Sequence, residues 1–164
     1  MKLDIAVDQA SPLWAGLPEA EELVERAILA SAARCGVALR KGAEVSVQLV
    51  DDVQIRALNA QWRGFDKATN VLSFPAAPVD KLAASPLLGD IVLAFETIRR
   101  EADDMRISLG DHFTHLVVHG FLHLVGFDHQ ESGEADRMER LETQILAGMA
   151  IADPYALDVF AERE

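Results

Sequence analysis

The chain alternates first and turns helical later. Leu3, Ile5 and Val7 interleave with Lys2, Asp4 and Asp8, the period of a strand with one buried face. From Pro18 to Ala33 the period lengthens, and Leu23, Val24, Ala27 and Ile28 share one side of a helix. Val45, Val47 and Leu49 interleave with Ser46 and Gln48 in a second strand. Asp51 or Asp52 suits the N-cap of the next helix, whose apolar face is Ile55, Leu58 and Trp62. Asn70 to Phe74 reads as a short strand stopped by Pro75, and residues 76–86, rich in Ala and Pro, as a loop. Asp90–Ala94 predicts a strand, Glu96–Met105 a helix, and Asp111–Val125 a helix apolar almost all round. A last helix is expected from Ser132 to Leu146, with Met138, Leu141 and Ile145 on one face. This order predicts an α+β fold: a small mixed β-sheet with helices packed mainly on one face. No repeat or linker divides the chain, so residues 1–152 are expected to form a single domain and 153–164 a C-terminal tail.

The apolar helix carries the candidate chemistry. His119, His123 and His129 follow the spacing H-x3-H-x5-H, with Gly126 between the second and third. Positions i and i+4 lie one above the other on a helix, so His119 and His123 can aim two imidazoles at one point. Gly126 can take a positive φ, end the helix and let the chain bring His129 back. Three imidazoles with a fourth position open is the arrangement of a catalytic zinc site, which makes this a zincin-like central metal-binding helix. A lone histidine in an apolar run is more often a hydrogen-bonded core residue, but three at this spacing are not explained that way. His115 and His112 continue the stripe, all four helical histidines falling within a sector of about 80°. His115 is expected behind the ligands or in the core, and His112, near the helix start, is expected to be solvated. Asp128 adjoins the third ligand and suits either a turn or a hydrogen bond that orients a ligand.

The spacing also matches the metzincin proteases, which carry a glutamate directly after the first histidine as general base. Here that position is Gly120, which cannot take a proton. Peptide hydrolysis by that route is disfavoured, and the reaction needs a substrate or a cation that handles the developing charge.

Composition narrows the setting. The 164 residues are half hydrophobic, enough for one core. The one cysteine, Cys35, excludes an intramolecular disulfide. With no secretory signal and no apolar run of membrane-spanning length, the chain reads as cytoplasmic, with no membrane partner. A net charge of −12 argues against diffuse binding to nucleic acid or anionic membrane. A nucleic-acid reading therefore needs a local basic patch, for which Arg40, Lys41, Arg63, Lys67, Arg99 and Arg100 are the candidate cations.

A second cluster, Leu58–Pro75, mixes aromatics with Arg63 and Lys67 between a helix and a strand. Arg63 can clamp a phosphate with two donors and stabilise transition-state charge, or it can be a cation facing its own helix C-terminus.

Together, Leu58–Pro75, the Leu87-Leu88-Gly89-Asp90-Ile91 strand and the H-G-x-L-H-L-x-G-x-D-H string resemble the YbeY family of bacterial metal-dependent endoribonucleases, the rRNA maturation factors. The likeness covers roughly residues 44–147. Ala68 and Asn70 stand where that family commonly has proline and aspartate, and Phe127 stands for tyrosine. The resemblance implies one Zn2+ per chain on His119, His123 and His129, with Arg63 catalytic. It implies single-stranded RNA as substrate, 16S rRNA 3′-end maturation and ribosome quality control as the role, and contact with the ribosome or its small subunit. Two rival readings stand beside it: a zincin-type metallopeptidase with a distant base, and a non-catalytic ribosome-assembly factor whose zinc is closed by a fourth ligand such as Asp128 or His115.

Overall fold

The computed structural model describes residues 2–128 and 132–155. Its elements run β1 (Asp4–Gln9), α1 (Ala20–Arg34), β2 (Glu44–Val50), α2 (Asp52–Arg63), β3 (Val71–Pro75), β4 (Leu87–Ala94), α3 (Phe95–Met105), α4 (Leu109–Leu124) and α5 (Ser132–Gly148). The four strands lie in the order β1-β2-β4-β3. β1, β2 and β4 are parallel, and β3 closes one edge antiparallel to β4. The sheet is thus mixed and small, as its alternating segments predict.

Side-chain alternation divides the core between the two faces of the sheet. Val45, Val47, Leu49, Leu88, Ile91 and Leu93 point to one face, where they pack with α1, α4 and α5 through Val24, Ile28, Val117, Phe121, Met138 and Ile145. Val92, Ala94 and Leu72 point to the other, which carries a smaller cluster with Ile55 of α2. Helices therefore cover mainly one face, and α2 alone serves the second. Trp14 anchors the larger core: it is buried and its indole N–H donates to Val50 O at 2.9 Å.

Of the two capping candidates, Asp51 caps α2, in a reciprocal pair with Gln54. Asp52 instead accepts from Thr97 Oγ1 at 2.7 Å, tying α2 to α3. Trp62, assigned to the buried face of α2, is 63% exposed, because it lies where α2 runs past the second core. The loop at 76–86 contains a 3-10 turn, Val79–Ala84, that buries Leu82.

The histidine helix α4 is central and contacts α1, α3, α5, β3 and β4. Ser108 caps its start, its hydroxyl accepting from Asp111 N at 3.1 Å. Its end is a Schellman turn: Gly126 N–H donates to His123 O at 3.2 Å and Phe127 N–H to Leu122 O at 3.0 Å. Gly126 takes φ 101°, as the sequence predicts for a residue that ends the helix.

Candidate metal centre

One turn of α4 brings His119 and His123 together. Their rings are 4.6 Å apart between centroids and nearly perpendicular, and their Nε2 atoms face each other at 3.1 Å. Behind them lies Glu142 of α5. Its Oε1 accepts from His119 Nδ1 at 3.0 Å and from His115 Nε2 at 3.1 Å. Its Oε2 accepts from Tyr155 Oη at 2.6 Å. Burial alone would raise the Glu142 carboxyl, but hydrogen bonds and charge from His115 and His119 outweigh it and bring the group down to about 2. An ionised carboxylate is acceptor-only, so His119 Nδ1 donates to Glu142, and His119 Nε2 faces His123.

These donors fit zinc. Two nitrogens bound about 2.05 Å from a tetrahedral zinc stand about 3.3 Å apart, close to the separation of the two Nε2 atoms. A carboxylate on the far nitrogen of a ligating histidine is also the usual support for such a ligand. Among the described residues no three His, Cys, Asp or Glu side chains gather in metal-holding geometry. The third expected ligand, His129, lies outside the described residues.

His119 and His123 open onto a cleft of about 500 Å3, lined also by Arg63, Asn70, Ser73 and Asp128. Arg63 ends α2, and Gly64 behind it turns the chain with φ 76°. The guanidinium does not fold back onto its helix. Its Nη2 donates to Ser73 O on the edge strand β3 at 2.9 Å, and its carbon lies 5.8 Å from the centre of the Phe74 ring. That anchor uses one of five N–H donors and holds the group on the cleft wall. Of the six candidate cations, Arg63 alone lines this cleft; Arg99 and Arg100 line another groove.

Position 120 faces the sheet. A Cβ at Gly120 would lie 2.9 Å from Ile91 Cγ2 and 3.2 Å from Ser73 Oγ, and Ser73 Oγ donates to Gly120 O at 2.9 Å. The missing glutamate of the protease pattern therefore has a packing reason: α4 packs closely on β3 and β4 where that side chain would stand.

The two neighbouring histidines differ. His115 lies behind the His119–His123 pair, on Glu142. His112 is not solvated: it is 4% exposed, and its Nε2 lies 2.8 Å from Glu101 Oε1. Sequence reading missed Glu142 and Tyr155. Glu142 did carry a signal, because it stands four residues after Met138 and three before Ile145, a carboxylate on the buried stripe of its helix.

Fold and cleft together define an α+β protein with a histidine helix, an imidazole pair backed by a buried carboxylate, and a guanidinium from the end of α2 anchored to the edge strand β3. The profile of Endoribonuclease YbeY matches residues 13–150. The chain belongs to the YbeY endoribonuclease family. It is 50% identical over 151 residues to the Endoribonuclease YbeY of Bradyrhizobium sp. strain BTAi1, covering 90% of this chain and 89% of the relative. With the Azorhizobium caulinodans protein of that name it shares 47% over 157 residues, covering 96% and 98%. The solution structure of a Thermotoga maritima protein aligns with 90% of this chain and 91% of its own, at 24% identity and a TM-score of 0.49. Among the described residues no helix is long and apolar enough to cross a membrane.

Proposed function

We propose that this protein is a zinc-dependent endoribonuclease that cleaves single-stranded RNA, with His119, His123 and His129 as metal ligands and Arg63 as the charge-stabilising catalytic group. The observation that carries this reading is that the imidazole pair and Arg63 line one cleft. Family membership supports RNA as the substrate.

Zinc held there supplies Lewis acidity toward water or a phosphoryl oxygen. The remaining work belongs to the chain. Glu142 fixes the His119 tautomer and keeps its Nε2 turned to the cleft. Arg63, pinned by Ser73 O, presents its remaining N–H donors to a phosphate and offsets the charge that builds as the diester is attacked. The 2′-OH of RNA is an internal nucleophile, which lessens the need for a general base at position 120.

The two rivals lose ground on particular contacts. A protease base at position 120 would collide with Ile91. His115, one candidate for a closing fourth ligand, turns its Nε2 to Glu142 instead. The cellular role that follows is 16S rRNA 3′-end maturation and ribosome quality control in the cytoplasm, in contact with the small subunit. Incubating the zinc-loaded protein with a 16S 3′-end precursor, its duplex form and an unstructured peptide tests the reading. Cleavage of the single strand alone is expected. Hydrolysis of the peptide with the RNA left intact would contradict it.

A further inference from the structure

We infer that Tyr155 and Glu142 form a relay that positions the His119 imidazole and so sets how tightly the metal is held. This rests on the metal reading proposed above. Glu142 sits among the apolar side chains of α5, and its side chain is 1% exposed. A carboxylate so placed must have its lone pairs occupied. Three donors do so: two imidazoles of α4 on Oε1 and the Tyr155 hydroxyl on Oε2.

The arrangement ties three parts of the chain to one oxygen pair. His115 and His119 fix the α4 side. Tyr155 enters from beyond α5 and closes the other side, its ring edge-on to His115 with centroids 5.7 Å apart. Asp153 pins this returning segment, because its Oδ1 accepts from Tyr155 N at 2.9 Å and from Thr143 Oγ1 at 3.3 Å. Tyr155 lies past Ala152, in the stretch expected as a tail, yet reaches the residue that orients a metal ligand.

The direction of each bond gives the relay its effect. Glu142 can accept from His119 only while the carboxylate keeps its present rotamer. His115 and His119 both restrain Oε1, and the Tyr155 hydroxyl restrains Oε2. Without it the carboxylate is held from one side only, and the His119 ring loses part of its fixed orientation. Tyr155 is a positioning residue, acting through Glu142 and not on substrate.

The test measures zinc affinity by competition with a chromophoric chelator, alongside melting of the zinc-free protein, for wild type, Tyr155→Phe, Glu142→Gln, the double variant and His123→Ala. Tyr155→Phe keeps the ring against His115 and removes only the hydroxyl. It is expected to weaken zinc binding roughly tenfold, and Glu142→Gln up to roughly a hundredfold, the range for losing such support. The double variant should bind no more weakly than Glu142→Gln, because both act through one carboxylate. Zinc-free Tyr155→Phe should still fold cooperatively, melting somewhat below wild type because Glu142 Oε2 loses its donor. Wild-type affinity in Tyr155→Phe overturns the relay, as do additive losses in the double variant. If Glu142→Gln does not fold, Tyr155→Phe decides the question alone. Wild type binding zinc no more tightly than His123→Ala would instead overturn the metal reading, and the relay with it.

Discussion

His119 Nε2 and His123 Nε2 face each other at 3.1 Å across one turn of α4, while Glu142 holds the far nitrogen of His119. Two imidazole nitrogens this close require a proton or a cation between them. His123→Ala removes one side of the pair. Zinc content per chain is expected to fall, and the zinc-dependent part of the melting temperature with it, because metal that binds only the folded state stabilises it. His112→Ala should leave zinc content unchanged, since its Nε2 is turned to Glu101. Elemental analysis of both variants checks this, and full zinc in His123→Ala would remove that residue from the site.

Gly120 leaves no room for a side chain between α4 and the sheet. Gly120→Glu would force a carboxylate between Ile91, Ser73 and Val71. A loss of about 3 kcal/mol or more is expected, in the range for a buried and poorly paired charge. Urea unfolding measures it. The variant should gain no peptidase activity, which a restored protease base would confer.

Glu101 gives the fold an acid sensitivity. Burial pushes its carboxyl up, but hydrogen bonds from His112 and Asn70, with charge from His112 and Arg100, outweigh this and hold it below its ordinary 4.5. A folded value below the unfolded one stabilises the protein above about pH 4.5, and that contribution is lost as pH falls through the lowered value. Glu101→Gln should therefore be less stable than wild type at neutral pH, with the gap closing as pH drops below 4.5. Urea midpoints between pH 7 and 3 test it; a gap that widens on acidification would contradict the assignment.

The local chemistry of α4 was legible in the sequence because it depends on near neighbours. His119 and His123 meet through helical spacing alone, and Gly126 ends the helix through its own backbone freedom. What stayed hidden depends on distant partners. His112 reads as solvated until Glu101 of α3 packs against it. Glu142 reads as an ordinary polar residue until α5 lies over α4, and Tyr155 as a tail until its hydroxyl reaches Glu142. Trp62 continues the apolar spacing of α2, but it stays 63% exposed on the rim of a groove it shares with Phe74 and Val92. The strand order β1-β2-β4-β3 likewise follows from packing that no local pattern encodes.

Arg63 separates two roles cleanly. Its side chain is exposed and makes one partly buried bond, to Ser73 O, so Arg63→Ala should cost about 1 kcal/mol of stability. Arg63→Lys should restore little activity, because an ammonium cannot hold Ser73 O and a phosphate with a planar fork.

The most direct measurement is single-turnover cleavage of a defined single-stranded RNA by wild type and Arg63→Ala, with zinc content and melting temperature measured on the same samples. The zinc-loaded wild type should cleave, and chelation should abolish cleavage. Arg63→Ala should keep its zinc and its melting temperature yet turn over roughly two to three orders of magnitude more slowly, as loss of one preorganised donor typically produces. Cleavage at the wild-type rate by Arg63→Ala, or by fully zinc-free wild type, would contradict a zinc-and-arginine endoribonuclease.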